Sequence, residues 1–212
     1  MSNLWPAPQS PTPVNAHIRI PGSKSLTNRA LVLAALADSP SVLRSPLVAR
    51  DTELMAAALE ALGARIERTQ SEWRIEPIEQ YREARVDCGL AGTVMRFVPL
   101  VAALSSAPTH FDGDERAYER PMNATIKTLR DIGALVDDDG RQSLPFTVTG
   151  TPAVLGGPLE VDASASSQFV SALLLIAPRL AHGLDVQHVG SALPSVPHID
   201  MTVSELGRRG VR

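Results

Sequence analysis

The 212 residues contain a single cysteine, Cys88, so no internal disulfide can form, and no Cys/His cluster has zinc-site spacing. That usage fits a reducing, cytoplasmic setting. With no activating partner near it in the sequence, Cys88 reads as a small buried hydrophobe. A basic excess is also missing: the net charge is −3 and the pI about 5.9, which argues against a nucleic-acid surface. Long apolar runs are absent, since stretches such as ALVLAALA and ALLLIAP are too short to span a bilayer. The opening MSNLWPAPQSPTPVNAH has neither a basic n-region nor an apolar core, so it is no signal peptide or anchor. Its four prolines predict an extended arm over 1–16. The five histidines, His17, His110, His182, His188 and His198, show no pairing that implies a metal or a catalytic dyad.

What the chain does have is repetition. Ser23-Lys24-Ser25-Leu26-Thr27-Asn28-Arg29 precedes ALVLAALA, Ala91-Gly92-Thr93-Val94-Met95-Arg96 precedes FVPLVAAL, and Ser166-Ser167-Gln168 precedes FVSALLLIA. Each puts small or polar groups where a helix should begin. A helix start offers free backbone N–H groups and partial positive charge, so three starts aimed at one point would hold an anion. Lys24, Arg29, Arg96 and Arg120 add full charge to such a point.

A second landmark has the same period. Gly63, Gly133 and Gly207 each follow an amphipathic helix as a C′ residue would. Between these marks the pattern predicts strand HIRIPG, helix 24–37, strand SVLRSP, helix 51–62 and a hairpin of ARIERTQ and EWRIEP. The second copy predicts ARVDCG, helix 92–105, THFDGD, helix 122–132 and a hairpin around Asp139-Gly140. The third predicts LEVDAS, helix 167–180, LDVQHVG and helix 199–206, without a hairpin. The fold class is therefore α/β, built of βαβαββ units over about 17–83, 84–150 and 151–212. The open edge in the last unit leads to the expectation that the chain is a fragment of a longer one, its second domain absent.

PGSKSLTNRAL, GLAGTVMRF, ERPM and SASSQF, in this order over residues 21–169, resemble the 5-enolpyruvylshikimate-3-phosphate synthases, a branch of the enolpyruvyl transferases. The resemblance implies an inside-out α/β barrel domain, its repeated units set around a pseudo-threefold axis, and residues 17–212 as the first of two such domains. It implies a cytoplasmic, monomeric transferase of aromatic amino acid biosynthesis. The implied reaction passes the enolpyruvyl group of phosphoenolpyruvate to the 5-hydroxyl of shikimate 3-phosphate, releasing phosphate, with no metal or organic cofactor. Positioning and fixed charge must then supply much of the catalysis.

By the same resemblance Lys24 is catalytic and touches both substrates. Ser25, Arg29, Ser166, Ser167, Gln168 and Ser195 bind shikimate 3-phosphate, and Gly92, Arg120 and Gln168 serve phosphoenolpyruvate. Thr93, Arg96 and His198 line the pocket. Leu90 and His198 depart from the family pattern, in which asparagine and tyrosine are frequent. Plainer roles stand beside these. Lys24 and Arg29 suit a solvated helix face, Ser166 and Ser167 ordinary N-caps, Gly92 a turn and Arg120 a surface loop. The acid and base groups are expected in the second domain, so the isolated fragment is expected to be inactive. Two other functions compete: enolpyruvyl transfer to UDP-N-acetylglucosamine, whose enzymes carry a cysteine before the Arg-Pro segment where this chain has DGDERAYERP, and a non-catalytic anion-binding domain.

Overall fold

A computed structural model of the chain describes residues 5–18 and 20–211. Parts of three expectations lie outside them: residues 1–4 of the arm, Arg19 of the strand HIRIPG and Arg212 of the third unit.

The first unit holds α1 (Lys24–Ala35), β1 (Ser41–Arg44), α2 (Arg50–Leu62), β2 (Arg65–Arg68) and β3 (Glu72–Glu76). Its sheet has the order β1-β3-β2 and is antiparallel throughout. The expected strand at 17–22 is not in it. The described residues of that segment join no ladder, and Ile18 and Ile20 are 81% and 79% exposed. Alternating apolar residues favour extended backbone, but a strand also needs a hydrogen-bonding neighbour, and this segment meets none among the described residues.

The second unit is complete. It runs β4 (Ala84–Asp87), α3 (Gly92–Ala102), β5 (Thr109–Asp112), α4 (Asn123–Asp131), β6 (Leu135–Asp137) and β7 (Phe146–Thr149), and its strand order is β4-β5-β7-β6. Strands β4 and β5 are parallel across the α3 crossover, and the hairpin adds β7 and β6 antiparallel. The loop between them, residues 138–145, carries Asp139, Gly140 and Gln142 at φ 46°, 72° and 56°, so the expected Asp139-Gly140 turn lies within a longer connection. The third unit holds β8 (Gly157–Val161), α5 (Gln168–Ile176), β9 (Leu184–His188) and α6 (Val196–Gly207), with β8 and β9 parallel.

Helices α1 and α3 end at Ala35 and Ala102, two and three residues short of the expected bounds, and two further boundaries move at prolines. Helix α6 begins at Val196 rather than 199 because Pro197 lies in its first turn, where no N–H is required. Helix α5 stops at Ile176 and passes into a 3-10 turn containing Pro178. Gly63 and Gly133 have φ of 123° and 92° as C-terminal residues should. Gly207 is the last residue of α6 itself, and the positive φ falls on Gly210 instead, at 81°.

Helix α3 is the centre of the core. Every residue from Thr93 to Ala102 is buried, as a helix apolar on all sides demands, and α1, α2, α4 and α5 pack around it. In the second sheet Phe111 and Phe146 are register partners whose rings stack at 5.2 Å between centroids. Because Phe111 is fully buried, Phe111→Ala is expected to cost the natural protein about 3–5 kcal/mol in urea unfolding. A loss under about 1 kcal/mol would show that the ring is not part of a packed core.

Candidate functional site

The three helix starts singled out by the sequence are joined pairwise by side chains. Asn28 Nδ2 on α1 donates to Thr93 Oγ1 on α3 at 2.6 Å, Arg96 Nη1 on α3 donates to Gln168 Oε1 on α5 at 3.4 Å, and Arg29 Nη2 on α1 donates to Ser171 Oγ on α5 at 3.0 Å. The starts are sparsely capped. Two side-chain oxygens accept there: Ser23 Oγ from Leu26 N at 3.4 Å on α1, and Ser166 Oγ from Gln168 N at 3.2 Å at α5. Ala91 ahead of α3 has no capping oxygen, and Ser167 makes no cap bond at α5. Orphan N–H groups therefore remain at the junction.

Around Gly92 the positive groups gather. A Cβ at Gly92 would lie 3.0 Å from Arg96 Nη1, 3.3 Å from Arg120 Nη1 and 3.3 Å from Gln168 Oε1. Arg96 is 7% exposed, donates to the Gly92 carbonyl at 3.2 Å and lies over the Phe169 ring. Burial, and then the charge of nearby Arg120, lower its pKa. Its Nε–H is buried without a partner. Among the described residues neither Arg96 nor Arg120 forms an ion pair. Two adjacent cations with no carboxylate, one carrying an orphaned donor, form a site suited to an anion.

The other expected residues divide into engaged and open ones. Lys24 is exposed at the start of α1, and its ammonium is 2.8 Å from Asp51 Oδ2 at the start of α2. Ser25 and Ser166 are half-buried, Ser167 is buried, and Ser195 and His198 are exposed. Ser195 stands at φ 53°, immediately before α6. Thr93 is buried and bonded to Asn28. Arg29 is not on a solvated face. It is 2% exposed, with protein acceptors for four of its N–H groups.

Three residues of this region lack a sequence signal. Asp51 reads as an ordinary acidic residue in the first turn of α2. Asn28 and Ser171 become anchors only through partners 65 and 142 residues away. The Arg50–Asp114 pair, at 2.7 Å, likewise ties the start of α2 to the loop that leads to Arg120.

Cys88 plays no part in this chemistry. It is buried, and burial, followed by repulsion from Asp87 and Asp112, pushes its thiol from 9.0 up to about 12. Burial also pushes Tyr81 up to about 12. Both groups hold their protons longer folded than unfolded, so the unfolded state binds fewer protons above about pH 9. Stability is therefore expected to fall as pH rises from about 9 to 12, and pulse proteolysis across that range measures it. A flat profile would show both groups to be solvated.

The chain matches the family described as EPSP synthase (3-phosphoshikimate 1-carboxyvinyltransferase) over residues 8–212. It is 55% identical to a 3-phosphoshikimate 1-carboxyvinyltransferase of Mycobacterium ulcerans, an alignment that takes in 98% of this chain and 48% of that one. The chain thus spans about half the length of that curated relative. The EPSP synthase of Acinetobacter baumannii has the same fold, with a TM-score of 0.73 at 22% identity over 86% of this chain and 42% of that one.

Proposed function

Because the chain belongs to the EPSP synthase family, we propose that it forms one wall of a site that transfers the enolpyruvyl group of phosphoenolpyruvate to the 5-hydroxyl of shikimate 3-phosphate, releasing phosphate. The observation that carries this reading is the gathering of Arg96, Arg120 and Gln168 around Gly92, without a carboxylate, where three helices begin. Phosphoenolpyruvate falls to Gly92, Arg120 and Gln168. The glycine admits the anion close to the backbone, and the guanidiniums stabilise a phosphate that becomes the leaving group. Shikimate 3-phosphate falls to Ser25, Ser166, Ser167, Gln168 and Ser195, with Arg29 adding charge from beneath the surface. Lys24 serves both substrates, and Thr93, Arg96 and His198 complete the lining. The proton leaving the 5-hydroxyl and the proton reaching the vinyl carbon are assigned to groups outside these residues, because no carboxylate stands beside Gly92 among the described ones.

The test is an assay of the full natural protein with both substrates. Phosphate release matched by an enolpyruvyl ether seen by NMR is the expected outcome. The absence of that product would overturn the proposal. Calorimetry with UDP-N-acetylglucosamine in place of shikimate 3-phosphate separates the sister activity, and heat from the nucleotide sugar alone would favour it.

A further inference from the structure

We infer that Ser171 and Thr202 are positioning residues for the shikimate 3-phosphate end of the site, acting through Arg29; the inference rests on the function proposed above. The residues assigned to that substrate come from α1, from the loop leading into α5 and from the residue ahead of α6. Strands β8 and β9 tie the second of these to the third, but no ladder among the described residues joins either to α1.

Arg29 connects them. Its Nε donates to Thr202 Oγ1 at 2.6 Å, Nη2 to Ser171 Oγ at 3.0 Å and to the His198 carbonyl at 3.0 Å, and Nη1 to the Ser25 carbonyl at 3.1 Å. Thr202 Oγ1 lies 3.1 Å from Ser171 Oγ, and Ser171 Oγ lies 3.4 Å from the His198 carbonyl. Thr202 Oγ1 is also 3.1 Å from the His198 carbonyl, so each hydroxyl proton has an acceptor within the set whichever of the two donates to it. Both hydroxyl residues are fully buried, so water does not stand in for a lost acceptor at no cost.

The charge is held without a carboxylate in contact. Among the described residues Arg29 has no ion pair, and its guanidinium lies 5.4 Å from the centre of the Phe97 ring. Burial lowers its pKa, and Glu205 acts in the opposite direction from α6. A planar fork with fixed acceptors on three elements sets their separation and angle together. The consequence is selective. Ser195 and His198 at the head of α6, and Ser25 on α1, depend on this clamp, whereas Gly92 and Arg120 of the phosphoenolpyruvate end do not touch it.

The experiment is steady-state kinetics of the full natural protein with Thr202→Val, Thr202→Ser and Ser171→Ala, together with calorimetric titration of shikimate 3-phosphate. Thr202→Val keeps the volume and removes the acceptor of Nε. It is expected to raise KM for shikimate 3-phosphate about tenfold while KM for phosphoenolpyruvate stays within about twofold. Thr202→Ser should restore the wild-type value, and Ser171→Ala should show the same selectivity at smaller size. A purely structural role would lower the melting temperature with both KM values moving together or not at all, and that result overturns the inference. Should Thr202→Val fail to fold, Ser171→Ala decides by the same ratio. A wild-type protein that binds shikimate 3-phosphate no better than its variants removes the clamp alone. A wild-type protein that does not bind it removes the functional reading and, with it, this inference.

Discussion

Lys24→Ala is expected to lower kcat/KM for the proposed reaction by about 10²–10⁴, the loss of two charge-assisted contacts at roughly 1.5–3 kcal/mol each. The loss should appear with both substrates. Stability should change little: the Lys24–Asp51 pair is half-exposed, and such pairs contribute about 0–1 kcal/mol. The substitution thus separates chemistry from folding. Asp51 sharpens the test, because a carboxylate 2.8 Å from the ammonium fixes where that charge sits. Lys24→Arg keeps the charge but spreads it over a wider, planar group, and is expected to recover only part of the activity. Steady-state rates within about threefold of wild type after Lys24→Ala would remove the residue from the site.

Gly92→Ala carries the second large effect, directed at one substrate. The added methyl meets the tips of Arg96, Arg120 and Gln168 at 3.0–3.3 Å. These are flexible ends, so the fold accommodates the methyl by shifting them. Two of them, Arg120 and Gln168, are the groups assigned to phosphoenolpyruvate. KM for that substrate is therefore expected to rise about tenfold or more, while KM for shikimate 3-phosphate, which shares Gln168 but keeps Ser25, Ser166, Ser167 and Ser195, rises no more than about threefold. A bulkier mimic such as glyphosate should lose more affinity than the substrate does, because the methyl takes room that the mimic needs. Inhibition and affinity both unchanged would show that the backbone at Gly92 does not face this ligand.

Local signals carried much of this into the sequence. The starts of α1, α3 and α5 were marked by small and polar residues ahead of apolar runs, and Gly63 and Gly133 marked two helix ends through the φ they adopt. What escaped depends on distant partners. The alternation at HIRI reads as a strand, yet strand formation is decided by a neighbour that local pattern does not name. Arg29 shows the same limit with a different result. A charged residue near a helix start reads as facing solvent or ligand, and only acceptors 142 and 173 residues away bury it. Asp51 was visible as a residue but not as the partner of Lys24, because that pairing is made by the packing of α1 on α2.

The hydrogen bond from Arg29 to Ser171 has one more implication. Arg29 and Arg96 each stand directly ahead of the apolar run of their helix, where α5 has Gln168, and Ser171 lies about one turn further on. An arginine in place of Ser171 would press a second guanidinium against that of Arg29, whose Nη2 is 3.0 Å from Ser171 Oγ. Serine there removes the conflict. It turns a repulsion into an acceptor and retires Arg29 into the interior as a brace, while Arg96 stays beside Gly92. Two arginines that hold the same place ahead of their apolar runs thus do different work, one inside the packing and one at the anion site.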